Sequence, residues 1–479
     1  MTDIKKKAFE TVEHNARAIS LVGDSIFHFA ELAMQEFETC GLLRDVLTQM
    51  GFKVETGISG FPTAVLATYG SGKPVLAVHT EFDALPSGSQ VPGVTNRQEV
   101  APGAPGHAEG HHSGPAVALG ALWAAKQAMD EYALTGTLKF FGVPAEELTL
   151  ARPFFVRDGY LDDVDAAMWC HVGSELETSY GVRNYGIVSV EFEFFGRTAH
   201  SAVSPWTGIS AVDAAKLMDI GWDVLREHLP PTQRSHSVIA SGGSQPNVVP
   251  DYAKIWYYFR ESTGEGAREL YEKARKVAEG AALMTGCSWK DNVLAACWPG
   301  HDSEVLARVI QANMDLVGQP NWDAEEHELA RNIQQASGVP IVGLAENAPP
   351  LKRAEQGTHS NDGGDITWKV PHGKIHYPSN IPGVPFHHWC AAIAGTTSIA
   401  HKGQIAGAKA LAGTLLDLLT KSGLVEEVRA CFDRETQAVE YKPLLPPGAK
   451  PPVGINADVM AKYKKDLEQW YVKEKIEFK

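Results

Sequence analysis

Apolar and polar positions follow two rhythms along this chain, and the change from one to the other divides it. The run IFHFAELAMQEFETCGLLRDVLTQMGF spaces its apolar residues at helical intervals and stops at Gly51. It predicts a helical N-terminal stretch. Two strand candidates follow, FKVETG and TAVLATYG, and then KPVLAVHTEFDALP. PVLAV is an unbroken apolar run, the pattern of a strand covered on both faces in a mixed or parallel sheet. Its end delivers His79, Glu81 and Asp83 into a loop, and ligands bind at the carboxyl ends of strands in open α/β sheets. Residues 87–115 are rich in glycine, proline and histidine, a long loop of the kind that is functional or disordered. AVALGALWAAKQAMDE predicts a helix of strong formers. GTLKFFGVPAEE and DAAMWCHVG repeat the strand-then-loop pattern and end in Glu146, Glu147 and His171. Three buried strands thus end in residues that bind a cation or move a proton.

Near residue 185 the rhythm changes. GIVSVEFEFFGRTAHSA alternates, as a half-exposed antiparallel strand does. Helix, two strands (SHSVIASGG and YAKIWYYFRES), helix and a last strand near 287–298 complete a β-α-β-β-α-β unit. Such a unit predicts an inserted α+β, ferredoxin-like domain at 186–299 that leaves one sheet face open for pairing. The expected organisation is an α/β catalytic domain with a mixed sheet, residues 1–185 and 300–479, split around that insert. A helical stretch resumes at His301, α/β character returns around IVGLAENAPP, and YKPLLPPGAKPPVGINADV is expected to wrap the surface.

Length and composition fit this picture. A chain of 479 residues exceeds the roughly 100–200 of one domain, and 44% hydrophobic content supports a sizeable core. Lys plus Arg number 43 against 58 Asp plus Glu, a net charge of −15. That balance disfavours nucleic acid and anionic membrane surfaces as partners. No apolar stretch approaches the ~20 residues of a membrane span, and the N-terminus has no apolar segment of a secretory signal. Six scattered cysteines without a CxxC pair point to a reducing, cytoplasmic location.

The chemistry lies in clusters. HAEGHH supplies His107, Glu109, His111 and His112; PAEE supplies Glu146 and Glu147; WCHVG supplies His171; PFHHW supplies His387 and His388; SIAHKG supplies His401. Hydrolytic divalent metals take imidazole and carboxylate ligands and keep an open position for water. One carboxylate holds the ion while another takes the proton from water, and the neighbours Glu146 and Glu147 can divide those roles. Alone, a Glu-Glu pair is ordinarily a solvated surface feature. His107 and His112 can equally line the pocket or hydrogen-bond the loop, Asn247 can cap a strand, and Arg260 can pair with Glu261. Asp362 and Asp365 sit in a glycine-rich turn, where Asp commonly serves the backbone. Trp206, Trp368, Phe386 and Trp389 are core candidates that together would suit an aromatic substrate.

The ordered motifs EFDALP, GHAEGHHSGPA, PAEE, DAAMWCHVG, GRTAHSA, QPNVVPDYAKIWYYFR, HSNDGGDITW and TTSIAHKGQIAGAKALA resemble one family. It is the metal-dependent exopeptidase and amidohydrolase family of carboxypeptidase G, aminoacylase and the amino-acid-conjugate hydrolases, and within it the p-aminobenzoyl-glutamate hydrolase branch. The resemblance implies a zinc-peptidase-like catalytic domain and a lid that pairs edge to edge into a homodimer or larger homo-oligomer. It implies metal ligands at Glu109, His111, Glu147 and His171 plus a C-terminal histidine, His387 in preference to His401. Glu146 would be the general base. His200 would reach the neighbouring subunit's site and stabilise the developing oxyanion. Asn247 and Arg260 would hold substrate, with His112 beside them, and Asp83 would orient a ligand.

One departure stands out: Glu109-Gly110-His111 replaces the Cys-Gly-His of the conjugate hydrolases. A harder carboxylate makes Mn²⁺ plausible beside Zn²⁺, with one or two ions per subunit. His79 and Glu81 are weaker ligand candidates. Three readings remain open. They are an amidase for an N-acyl or aminobenzoyl amino acid, an aminohydrolase of an electron-poor aromatic amine such as a nitroanthranilate, and a non-catalytic partner subunit.

Overall fold

The apolar runs that end in charged residues become neighbours in one mixed sheet. The computed structural model describes residues 1–479. Its strands are β1 (Lys53–Thr56), β2 (Val65–Ser71), β3 (Val75–Glu81), β4 (Gly136–Val143), β5 (Ala166–Gly173), β6 (Ser179–Val182), β7 (Gly186–Phe195), β8 (Arg234–Ser241), β9 (Tyr252–Glu261), β10 (Ser288–Cys297), β11 (His301–Asp302), β12 (Lys352–Arg353) and β13 (His372–Pro378). The first seven helices are α1 (Asp3–His14), α2 (Ala16–Phe29), α3 (Phe37–Gln49), α4 (Ser113–Tyr132), α5 (Ala151–Arg157), α6 (Ala211–Arg226) and α7 (Gly264–Thr285). Six strands form the main sheet, in the order β1-β2-β4-β3-β5-β13. β4, β3, β5 and β13 run parallel, and β1 and β2 join antiparallel at one side.

Strand alternation gives this sheet two different faces. Leu76, Val78, Met168, Cys170, Ile375 and Tyr377 point to one side, into a core shared with α2, α4 and the long helix Ser398–Thr420. Val75, Ala77 and Ala167 point to the other. So do His79, Glu81, Trp169, His171, His372, Lys374 and His376 by the same period of two. Their rings lie together on that face: the His79 and Trp169 centroids are 5.6 Å apart, Trp169 and His171 5.5 Å, His171 and His376 5.4 Å.

Residues 186–297 build a second, wholly antiparallel sheet, β10-β7-β9-β8. Alternate residues Val190, Phe192, Phe194, Ile255, Tyr257 and Phe259 pack under α6 and α7. The opposite face carries cross-strand ion pairs, Lys254 to Glu191 and Lys290 to Glu193, each at 2.6 Å. β8 is a bare edge with Val238 and Ile239 exposed. Where the chain enters and leaves this unit, the Gly300 N–H donates to Asn184 Oδ1 at 2.6 Å and the Arg183 N–H to the Gly300 carbonyl at 3.0 Å.

Two expectations fail. The N-terminal helical run breaks between α2 and α3, with Ala30 and Met34 in the left-handed region and Leu32 bridging to Ala84. Leu32 is buried there, so the apolar period continues through a segment that is no helix. IVGLAENAPP is not a strand either, because Gln334 Oε1 accepts the N–H groups of Val342 and Gly343 and holds it as a loop. The returning strand is β13, HGKIHYP, whose buried face alternates His372, Lys374 and His376 and therefore looks polar in sequence.

Gly114, in the first turn of α4, sits where a Cβ would lie 1.9 Å from Thr80 Oγ1 of β3. Gly114→Ala is expected to push that helix off the sheet and to cost about 1–3 kcal/mol in urea denaturation, as overpacking does.

Candidate metal centre

Glu109 and His111 come from the loop before α4, separated by Gly110 at φ 125, where a side chain would press on Val172 of β5. Glu146 and Glu147 lie in a single turn after β4, entered and left through the left-handed residues Ala145 and Thr149. His171 ends β5, and His387 stands on a loop with φ 61. These side chains converge. Glu109 Oε1 is 3.7 Å from His111 Nε2 and 3.4 Å from His171 Nε2. Its other oxygen is 2.9 Å from His387 Nε2, which is 3.3 Å from Glu147 Oε2. Glu147 Oε1 is 3.8 Å from His111 Nδ1, and Glu146 Oε2 is 4.0 Å from His111 Nε2.

The electrostatics are those of an anionic hollow. Burial, reinforced by Asp362, Glu147 and Glu81, pushes the Glu146 carboxyl well above the usual range despite His111. Burial likewise lifts Glu147 to about 7. Burial opposes charge on His111, but Asp83, Glu109 and Glu81 outweigh it and hold the imidazole well above its ordinary value. His111 Nε2, Glu147 Oε1 and Asp83 Oδ1 are buried without any hydrogen-bond partner. Unpartnered lone-pair atoms of this type, in a carboxylate-rich pocket, fit a divalent cation.

The sequence under-rated or missed three supports. Glu81 joins the cluster, its Oε1 3.6 Å from His171 Nε2, while its Oε2 accepts from Trp169 Nε1 at 2.7 Å and pairs with Arg152. Arg152 is fully buried between Glu81 and Asp362 and donates through Nε to His79 Nδ1 at 3.0 Å, so His79 faces away from the cluster. Glu36 accepts the Ala145 N–H at 2.9 Å and the Thr63 hydroxyl at 2.7 Å. Asp83 accepts the Glu147 N–H at 3.0 Å, so carboxylates pin the Glu146-Glu147 turn at two amides. The signal for Glu36 and Glu81 was present: acids inside otherwise apolar runs need a buried partner.

Other sequence candidates lie elsewhere. His401 points away and pairs with Asp24 of α2 at 2.8 Å, because it projects from the flank of the helix Ser398–Thr420. His112 does not face the cluster. It packs edge-on against Phe27, with Nε2 2.9 Å from the Gly395 carbonyl, since successive residues entering α4 point to different sides. Asp365 accepts from the Trp298 N–H and the Tyr441 hydroxyl. His200 and Asn247 are exposed on the second sheet's loops, and the Ser201 N–H donates to the Asn247 carbonyl at 3.1 Å. Arg260 is half-buried, its guanidinium 5.6 Å from the Tyr258 ring centre.

Residues 182–283 match the family described as the peptidase dimerisation domain. The chain is 31% identical over 478 residues to one of the subunits of p-aminobenzoyl-glutamate hydrolase of Escherichia coli (strain K12), covering 94% of this chain and 99% of that one. The chain belongs to the M20 peptidase family. It is 26% identical to the indole-3-acetyl-aspartic acid hydrolase of Enterobacter agglomerans, over 66% of this chain and 85% of that one. In fold it resembles a dinuclear metal-binding M20 peptidase of Bacillus subtilis, with TM-score 0.54, 18% identity, and 85% and 99% of the two chains covered. Family membership makes the protein a metal-dependent hydrolase of amide C–N bonds, with a divalent metal as its cofactor.

Glu36→Gln keeps an acceptor for Ala145 and is expected to fold and bind metal within about 1 kcal/mol of the parent. Glu36→Ala orphans a buried N–H and a hydroxyl, and is expected to lose about 2–3 kcal/mol in urea and to weaken Mn²⁺ binding in calorimetry.

Proposed function

We propose that the protein is a homodimeric amidohydrolase that cleaves the amide of an N-acyl amino acid with an aromatic acyl group, p-aminobenzoyl-glutamate being the nearest example. The carrying observation is the largely buried Glu109–His111–Glu147–His171 cluster, closed on its outer side by the exposed His387 and with the Glu146 carboxyl beside it, in a chain that aligns end to end with the Escherichia coli p-aminobenzoyl-glutamate hydrolase polypeptide. Residues 1–185 and 300–479 form the catalytic domain and 186–299 the lid.

Glu109, His111, Glu147, His171 and His387 would hold Zn²⁺ or Mn²⁺, with Glu81 as a further carboxylate. The two oxygens of Glu109 face different partners, His111 and His171 on one side and His387 on the other, so the residue set would serve one or two cations. A bound divalent cation supplies Lewis acidity, lowering the pKa of water and polarising a carbonyl. Glu146 takes a proton from the attacking water and returns it to the leaving amine. Its Oε2 lies 4.0 Å from His111 Nε2, beside the ions that the cluster would hold.

His200 would act in the neighbouring subunit's site. Its Nδ1 accepts the N–H groups of Ala202 and Val203 at 3.2 and 3.3 Å, so in the neutral ring Nε2 carries the proton and points outward as a donor. That is the tautomer an oxyanion requires. The bare β8 edge and the exposed Ile220 and Val224 of α6 favour a second copy of this chain as the partner. Six free cysteines suit a reducing, cytoplasmic location.

Glu146→Gln is expected to lower kcat on p-aminobenzoyl-glutamate about 10²–10⁴-fold with metal content unchanged. Release of ammonia without a carboxylic-acid product would overturn the amidase reading in favour of aryl-amine hydrolysis. Chelation should abolish activity and lower the melting temperature. Mn²⁺ or Zn²⁺ at a hundred times its Kd should return about 2.7 kcal/mol of stability. Mixing inactive Glu146→Gln and His200→Ala dimers should recover up to about a quarter of wild-type sites, because each mixed dimer has one intact composite site. No recovery after confirmed exchange of protomers would place His200 outside the reaction.

A further inference from the structure

Lys374 is a cation without an anion. It lies on β13 in register with Trp169 of β5, two residues before His376, whose ring packs on His171. The side chain therefore belongs to the face that carries the metal cluster. The residue is only 6% exposed, yet its amine forms neither an ion pair nor a hydrogen bond; it lies 3.8 Å from the Trp169 ring centre, and burial with Arg183 lowers its pKa to about 7 against Glu81, Asp302 and Glu146. An ammonium offers three donors, and buried charges are ordinarily paired. The nearby acids are committed elsewhere. Glu81 Oε2 serves Arg152 and Trp169, and Asp302 is taken by Arg183 at 2.6 Å and His372 at 2.5 Å. Glu146 reaches Lys374 from the acidic side, while the basic groups nearby are Arg183, which acts on Lys374, His359 and His376, and, from the second sheet, Arg260, which acts on His359. The hollow thus has an acidic wall of Glu81, Glu109, Glu146 and Glu147 and a basic wall around Lys374.

We propose that Lys374 is the specificity-determining cation of a carboxylate subsite, which receives a carboxylate that the substrate keeps through the reaction. The subsite belongs to the catalytic sheet and adds to whatever the lid residues Asn247 and Arg260 contribute. The inference rests on the amidohydrolase reading above and narrows its substrates to acidic ones. The ring of Trp169 orients the ammonium by cation–π contact while leaving its N–H donors free. A neutral substrate would leave that charge buried and unpaired, so the subsite discriminates by penalty as well as by attraction.

The test is calorimetric binding to metal-loaded Glu146→Gln dimer, with three probes: p-aminobenzoyl-glutamate and its α-amide and γ-amide analogues. Adding Lys374→Met should weaken the parent compound about tenfold or more and weaken one monoamide equally. The other monoamide, which lacks the recognised carboxylate, should lose nothing on Lys374→Met and bind that variant as well as or better than the parent. Lys374→Arg should recover part of the loss. Lys374→Met should melt at or above the parent temperature, because an unpaired buried charge has been removed. Equal loss for all three probes, no loss for any, or a lower melting temperature with lost metal would overturn the subsite. Binding is scored without turnover. A protein that binds in the expected pattern but hydrolyses none of the compounds would refute the amidohydrolase reading alone. One that hydrolyses them but binds all three equally would refute the subsite alone.

Discussion

Glu81, Glu109, Glu146 and Glu147 crowd their carboxylates around His111, with Asp83 beneath them, where solvent scarcely reaches. Carboxylates this close cannot all ionise unaided, since desolvation and mutual repulsion both favour the proton. The fixed cation on their side is Arg152, already shared between Glu81 and Asp362. A divalent cation held by these carboxylates and the neutral His111 would relieve that repulsion. This surplus of buried negative charge explains why the surrounding backbone is so heavily tied. The left-handed Ala145 and Thr149 frame the Glu146-Glu147 turn, and the amides of Ala145 and Glu147 are each held by a carboxylate from another segment.

Arg152 is itself fixed by a chain of hydrogen bonds whose direction can be followed atom by atom. Its Nε–H donates to His79 Nδ1, so in the neutral ring the proton of His79 is on Nε2, 2.9 Å from His372 Nε2. His372 must then accept through Nε2 and donate through Nδ1 to Asp302, which Arg183 neutralises. Burial, with the Arg152 charge adjacent, keeps His79 well below its ordinary pKa, and burial lowers His372 as well. Both rings therefore stay neutral, each in one tautomer. Buried ion pairs contribute little net stability, but a fully satisfied network fixes geometry, and here it fixes Glu81 against His171.

The fold was largely legible because period and composition agree in most segments. PVLAV, GTLKFFGV and the alternating GIVSVEFEFF each became the strand expected, and the β-α-β-β-α-β order of the insert is the order observed. Legibility failed where function places polar residues on a buried face. HGKIHYP does not read as a buried strand because half its side chains lie on the polar face of the sheet, and the sequence could place Glu81 at a strand end but not name Arg152 and Trp169 as its partners. The choice between His387 and His401 could not be made from spacing. It depends on the loop at φ 61 that swings His387 toward Glu109, and on Asp24 lying where His401 points. His112 misled for a local reason: adjacent histidines at a helix entrance face opposite directions, one to the cluster and one to Phe27.

The two walls of the hollow follow from a single topological choice. β3, β4 and β5 deliver Glu81, the Glu146-Glu147 turn and His171 at their carboxyl ends. β13, added beside β5 and parallel to it, brings Lys374 and His376 into register with Trp169 and His171. Acid and base thus meet along the β5 strand, where His171 touches both groups. A scissile amide spanning that line would lay one end over the cations held by the carboxylates and its remaining carboxylate over the ammonium. Under that proposal the separation of charge across the sheet would orient a dipolar or acidic substrate.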